Sequence, residues 1–262
     1  MTLRTIRRLI SRRPRQSRGA IERRKGPQLA PGLRIYAIGD IHGRLDLLTR
    51  MLGLIDNDLQ VSRAEFSCTI FLGDYVDRGP ASKGVIEHLI EAPKVSDEYI
   101  FLRGNHEEVL LNFLEEASVL AEWSQFGGLE TLYSYGVNAR LPLNSNDLPD
   151  LQRRFRDQLP PSHWEFLMAT PTYFEAGGYF FVHAGVRPGV ALADQNPADL
   201  LWIRDEFLFA TYPFEKIIVH GHTPVETPEL LPRRINVDTG AYLTGRLSCV
   251  VLEGVDRRVL ST

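Results

Sequence analysis

Five times along this chain an apolar, β-branched or aromatic run stops abruptly at a short cluster of Gly, Asp, His or Asn. RIYAI leads into GDIHG (39–43), CTIFL into GDYVDRGP (73–80), YIFL into RGNHEE (103–108), GYFFV into HAG (183–185) and KIIV into HGHTP (220–224). Such runs read as buried strands. In layered α/β folds, the chemistry gathers where parallel strands end. An Asp or His after one strand is ordinarily a turn or cap residue. Five in succession imply that five strands deliver polar side chains to one place, which restricts the chain to an α/β architecture with its site at a common strand edge.

Between the motifs the pattern is helical. Residues 45–59 carry Leu47, Leu48, Met51, Leu52, Leu54 and Ile55 at helical spacing. Ser82 is placed to cap a second helix whose inward face holds Val85, Ile86, Leu89 and Ile90. A third helix starts near His106 and runs towards Trp123, and Gly127 and Gly128 break it. The strand rhythm lapses from about 115 to 172, and this stretch, with Ser162 and Glu165 at capping-box spacing, reads as a helical insertion beside the site. Strand-like sequence then resumes and closes the chain with RINVDTG, RLSCVVLEG and RRVL.

Charge divides the chain. Residues 1–25 hold nine Arg, one Lys and a single acid, Glu22, whereas residues 26–262 hold 20 basic and 32 acidic side chains. With few large apolar residues, the arm (1–32, ending in a linker marked by Pro27, Pro31 and Gly32) is expected to be disordered. It suits contact with a polyanion, either nucleic acid or an anionic membrane surface, and equally suits a presequence or a solubilising tail. The folded domain is expected over 33–262. No stretch is long and apolar enough to span a membrane. Cys68 and Cys249 both lie in strand-like runs and read as buried free thiols, which suggests a cytoplasmic setting.

The residue types at the strand ends fit two hard cations. Asp74, after Gly73, can offer both carboxylate oxygens, one to each ion. Asp40 and His42 can grip one ion from the same loop, and Asn105, His183 and His222 can complete the other. This mixed N/O ligation suits Mn, Fe or Zn. Arg78 and Arg103, beside the metal motifs, can fork around phosphoryl oxygens. His106 can protonate a leaving oxygen, with Asp77 orienting its ring.

On these motifs the chain resembles the phosphoprotein phosphatase family of calcineurin-like metallophosphoesterases. GDxVDRG with GNHE carries the likeness, and WIRDEF, GHTP and NVDTGA resemble the bacteriophage lambda phosphatase branch. The resemblance implies an α/β/β/α four-layer sandwich over about residues 33–260, matched only loosely through the insertion. It puts Asp40, His42 and Asp74 on one ion, and Asp74, Asn105, His183 and His222 on the second. It makes His106 the proton donor held by Asp77, and Arg78, Arg103 and Arg204 the phosphate ligands. It further implies two divalent ions, with manganese foremost, and direct attack by a metal-bridging hydroxide without a phosphoenzyme.

Other residues carry competing readings. His88 and His163 read as structural. His220 reads as core or as support for the site, against a ligand role suggested by HGH. Asp238 either caps a turn or supports the site, Trp123 reads as core rather than a substrate platform, and Arg204 can instead pair with Asp205 or Glu206. The intact Asp77-Arg78-Gly79 favours a serine/threonine or dual-specificity protein phosphatase as the function. Diadenosine tetraphosphate-type hydrolysis and small-molecule phosphodiesterase activity are alternatives. From another class comes an inactive binding module docking through the arm, which would be expected to have lost a ligand or the proton donor; none is lost.

Overall fold

The computed structural model describes residues 27–62, 64–139 and 142–262. Residues 1–26 of the arm, with the disorder and polyanion contact expected of them, lie outside the described residues, whereas the linker 27–32 packs on the domain, with Leu29 in the core between the sheets and its N–H bonded to Gly254 O at 2.9 Å. Two five-stranded sheets form the centre. In the first, β1 (Leu33–Ile38), β2 (Phe66–Phe71) and β3 (Glu98–Phe101) run parallel, and β9 (Ser248–Glu253) and β10 (Asp256–Ser261) add antiparallel, in the order β10-β9-β1-β2-β3. In the second, β5 (Tyr179–Val182), β6 (Ile217–His220) and β8 (Arg234–Asn236) are parallel. They are flanked by antiparallel β4 (Tyr173–Ala176) and β7 (Glu229–Leu230), in the order β4-β5-β6-β8-β7.

The alternation of side chains along each strand sorts the core into three slabs. Ile35, Ala37, Cys68 and Ile70 of the first sheet meet Tyr179, Phe181, Ile217, Val219 and Ile235 of the second. On its other face, the first sheet presents Tyr36, Ile38, Phe71 and Cys249 to a thick helical layer. That layer contains α1 (Leu45–Val61), α2 (Ser82–Glu91), α3 (Asn105–Glu115) and the insertion helices α4 (Leu120–Trp123), α5 (Gly128–Ser134), α6 (Leu148–Gln158) and α7 (Pro161–Ala169). The outer face of the second sheet, with Phe180, Val182 and Ile218, is covered more thinly by α8 (Pro197–Trp202), α9 (Asp205–Leu208) and nearby loops. A short α10 (Ala241–Thr244) precedes β9. The expected α/β/β/α sandwich is therefore present.

Cys68 and Cys249 are free and buried in different slabs, on opposite faces of one sheet, and burial pushes the Cys68 thiol up to about 12. No helix among the described residues is long and apolar enough to cross a membrane.

Four local expectations are corrected. The helix expected from near His106 towards Trp123 ends at Glu115, where Glu116 turns extended, and Leu120–Trp123 forms a helix of its own. Ser82 lies inside α2 instead of capping it, because its hydroxyl is taken by the Asp77 N–H at 3.0 Å. Ile90, assigned to the inward face of that helix, is 37% exposed. Ser162 does not cap α7, which starts at Pro161 after an extended Pro160.

Candidate active site

Four motifs begin just past their strands and HGHTP begins at the last residue of β6, so the carboxyl ends of β1, β2, β3, β5 and β6 converge as the pattern required. Asp40, His42, Asp74, Asp77, Asn105, His106, His183 and His222 are all nearly or fully buried. Among the described residues, only five non-glycine residues have positive φ: His42, Asp74, Asp77, Arg78 and His222. All five belong to the site. Left-handed backbone costs a non-glycine residue roughly 1–3 kcal/mol, so the fold concentrates its strain where it aims functional side chains.

Asp74 sits at the centre. Its Oδ2 lies 3.4 Å from His42 Nε2 and 3.8 Å from His106 Nε2, while its Oδ1 lies 3.4 Å from His183 Nε2. The two oxygens thus face two different groups of side chains: His42, Asp74 and His106 on one side, and Asp74, His183 and His222 on the other. The backbone fixes the tautomers. A carbonyl oxygen can only accept, so Val76 O at 2.8 Å holds the proton on His42 Nδ1, and Leu72 O at 3.0 Å holds it on His183 Nδ1. Both Nε2 lone pairs are left turned inward. Asn105 Oδ1 is 2.8 Å from His183 Nε2 and 3.0 Å from His222 Nδ1, and those two nitrogens are 3.1 Å apart. Arg204 can only donate, and it takes His222 Nε2 at 3.0 Å, so the His222 proton sits on Nδ1 and is accepted within this group, while Asn105 Oδ1 and His183 Nε2 turn lone pairs towards Asp74 as a cation's donors would.

The carboxylates agree. Burial, then Asp238 and Asp74, push the Asp40 pKa well up. Burial pushes Asp238 up to about 6, with Asp74 adding to it and the Gly240 N–H opposing. Burial also opposes the charge of Asp74, but the fields of His183, His106, His42 and His222 outweigh it and hold this carboxyl below its ordinary range. Burial disfavours the charged forms of His42 and His222 and lowers them to about 3 and about 2. A buried excess of carboxylate is relieved by divalent ions. His42, Asp74 and His106 bring ligand atoms close enough for one ion, and Asp74, His183 and His222, with Asn105 Oδ1 beside them, for another; Asp40 is placed next to them by its bonds from the His222 N–H. Space is tight around these oxygens. A Cβ on Gly104 would stand 2.1 Å from Asp74 Oδ1, and one on Gly221 would stand 2.1 Å from Asp40 Oδ1.

His106 Nδ1 meets Asp77 Oδ2 at 2.6 Å. Burial lowers its pKa, but Asp74 and Asp77 outweigh that and leave it raised. Its Nε2 faces the cluster, 3.3 Å from Arg78 Nη2. Arg78 also lies over the ring of Tyr242, 4.6 Å from its centroid. Arg204 is exposed, and its Nε donates to His222 Nε2 at 3.0 Å, so it is directed at the site and not at its acidic neighbours.

Arg103 departs from expectation. Its Nε donates to Thr170 Oγ1 at 3.2 Å, its Nη1 pairs with Glu108 at 3.0 Å, and its Nη2 reaches the carbonyls of Leu167 and Met168 at 3.3 and 3.1 Å. The guanidinium thereby closes the carboxyl end of α7, where carbonyls lack helical partners, and it ties the insertion to β3. It is not available as a phosphate fork in this geometry.

Other histidines follow their structural readings. His163 is buried against Tyr135 OH at 2.8 Å, His88 is half-buried on α2, and His220 is fully buried with its ring edge-on to Phe207. Asp238 does both things considered for it, accepting the Gly240 N–H at 2.8 Å and adding charge beside Asp40.

Two supports escaped the sequence. Fully buried Glu107 accepts backbone N–H groups from Asp74 (2.8 Å), Tyr75 (2.8 Å), Val76 (3.3 Å) and Gly104 (2.9 Å), which staples the loop carrying Asp74 to the start of α3. Burial and then the Asp74 charge push its carboxyl up to about 7. The Gly104-to-Glu107 spacing of a capping box is the signal that marked it. Trp123 and Thr131 are the second support, both bonded to Asp77.

A fold of this kind, with paired groups of carboxylate and imidazole ligands at its strand ends, defines a metal-dependent phosphoester hydrolase. The calcineurin-like phosphoesterase model matches residues 33–254, and the chain belongs to that family. Among curated relatives, the asymmetrical bis(5'-nucleosyl)-tetraphosphatase PrpE of Anoxybacillus flavithermus is 26% identical, with 81% of this chain and 88% of the relative covered. The PrpE of Bacillus subtilis is also 26% identical, over 80% and 87%. A solved structure provisionally named a diadenosine tetraphosphatase shares the fold at a TM-score of 0.59 and 19% identity, covering 90% of this chain and 98% of its own. A cold-active protein tyrosine phosphatase does so at 0.53 and 16%, over 89% and 80%. The relatives support the metallophosphoesterase class without singling out a phage lambda-like branch.

Proposed function

We propose that this protein hydrolyses dinucleoside polyphosphates of the bis(5'-nucleosyl) tetraphosphate type. The observation that carries the reading is a pair of partly exposed aromatic rings on opposite flanks of the ligand cluster. Tyr242, 36% exposed, lies 5.4 Å from the His42 ring, and Trp202, 42% exposed, lies 6.5 Å from the His222 ring. Trp202 lines an open cavity of about 680 Å³ with Arg187, Arg204, Asp205 and Glu206. Arg78 lies over the Tyr242 ring, and a base can stack on the surface each ring leaves exposed, a contact worth about 1–3 kcal/mol. The tetraphosphatase relatives support the same reading. It takes the place of the protein phosphatase favoured by the motifs alone.

In this reading Asp40, His42 and Asp74 would hold one divalent ion, and Asp74, Asn105, His183 and His222 would hold the other. Such ions neutralise phosphoryl charge and acidify a coordinated water near neutral pH. Arg78 and Arg204 bind the phosphoryl oxygens from opposite sides. His106 gives its Nε2 proton to the departing oxygen, while its Nδ1–H stays on Asp77. Manganese, iron and zinc all suit this ligand set.

A second reading, phosphoserine or phosphothreonine hydrolysis, is favoured by the short His106–Asp77 contact, since a strong proton donor matters most for an alkoxide leaving group. Comparing kcat/KM for diadenosine tetraphosphate with that for phosphopeptides separates the two. The dinucleotide should win by more than about tenfold, near 1.4 kcal/mol of transition-state binding, and Trp202→Ala should raise its KM while leaving an aryl phosphate unaffected. A phosphopeptide preference would overturn the proposal in favour of the second reading.

A further inference from the structure

We infer that Trp123 and Thr131, both supplied by the helical insertion, are positioning residues for the proton donor His106. This rests on the reading of His106 as the group that protonates the leaving oxygen.

The contacts form a closed network. Asp77 Oδ2 accepts from His106 Nδ1 at 2.6 Å and also from Trp123 Nε1 at 2.7 Å. Asp77 Oδ1 accepts from Thr131 Oγ1 at 2.5 Å, and the Asp77 N–H donates back to that hydroxyl at 2.9 Å. Asp77, Trp123 and Thr131 are all fully buried. Asp77 therefore cannot swing to water, and its only free direction of charge is towards the His106 ring.

The insertion also holds the backbone on which Asp77 stands. The Arg78 N–H donates to Gly127 O at 3.2 Å, and Asp77 and Arg78 are consecutive left-handed residues with φ of 72° and 66°. Gly127, itself at φ 94°, comes so close that a Cβ there would stand 2.6 Å from Arg78 N. These partners share the turn with the Ser82 hydroxyl, which also accepts the Asp77 N–H at 3.0 Å, but among side chains other than His106 only Trp123 and Thr131 donate to the Asp77 carboxylate. A Trp buried between Phe113 (5.2 Å) and Phe155 (6.3 Å) looks like simple core, yet its one polar atom is spent on the site.

The test replaces the donors while keeping shape. Trp123→Phe and Thr131→Val are assayed on a series of aryl and alkyl phosphomonoesters graded by leaving-group pKa, with His106→Asn and Thr131→Ser in parallel. A mislocated proton donor should cost roughly 10- to 10²-fold in kcat on the poorest leaving groups and under about threefold on the best, part of the usual worth of general-acid catalysis. Thr131→Ser should restore the wild-type slope. Trp123→Phe added to His106→Asn should cost little further, because both act through one group. Should Trp123→Phe fail to fold, the Thr131 pair decides the matter alone. Uniform losses across the series, or none, with His106→Asn still steep, would overturn the positioning role and spare the proton-donor reading. A flat response from His106→Asn itself would overturn both.

Discussion

The two flanks of the cluster are built differently. On the first-sheet side, Asp77 and His106 are buried and bound to several elements, and Glu107 alone ties together four backbone N–H groups. On the second-sheet side, Arg204 stands exposed between a six-residue and a four-residue helix, with one hydrogen bond to His222. Groups that move protons must be held within tenths of an ångström, whereas groups that meet variable substrate profit from freedom. On the proposed function, the thick helical layer would serve precision and the thin one would leave room for the substrate.

Asp74 is shared by both flanks, so it sets the upper limit of the comparison. Asp74→Asn, or removal of divalent ions by a strong chelator, should lower kcat by at least ~10³-fold, about 4 kcal/mol of barrier. Retention of most activity in either case would end the two-ion reading. The flanks should then separate. His106→Asn should slow esters of poor leaving groups by roughly 10²- to 10⁴-fold, while Arg204→Ala, on the exposed side, should cost only about tenfold in kcat/KM. Matching losses would erase the distinction between a rigid and a permissive flank.

Arg78 and Arg103 sharpen it further, since they were indistinguishable as phosphate ligands from sequence. Arg78→Ala should weaken phosphoryl binding with little change in melting temperature. Arg103→Ala should instead lower stability by about 1–3 kcal/mol through the carbonyls and carboxylate it leaves unpaired, seen as a lower denaturant midpoint. A stable Arg103 variant with impaired phosphate binding would return that residue to the site. The smallest effect belongs to the arm. Removing residues 1–25, which contain none of the proposed ligands, should change aryl phosphate hydrolysis by less than about twofold, within the range of surface changes.

What the sequence made legible follows from local chemistry. Strands that end in a short turn bearing Asp, Asn or His mark their own candidates, because the run, the turn and the polar side chain are contiguous. Hence Asp40, His42, Asp74, Asn105, His183 and His222 were found together. Directions of long side chains were not legible. Arg103 turns towards the end of α7, more than sixty residues away in the chain, and nothing near RGNHEE announces those carbonyls. Trp123 and Thr131 stand 46 and 54 residues from Asp77, and their hydrogen bonds exist only after the insertion has folded back. Ser82 was misread for the same reason: its preference for a cap is real, but the Asp77 N–H competes for its hydroxyl and wins.

The five left-handed non-glycine residues have a consequence for how this protein can evolve. Strained backbone and crowded like charge make the site a thermodynamic liability that the three apolar slabs must carry. Selection for heat resistance alone would therefore drift towards glycine at half-buried position 78 and towards neutral residues in place of Asp40 or Asp238, which gains stability and discards chemistry. Durability and activity pull this sequence in opposite directions, and its slabs are the reserve that lets it keep both.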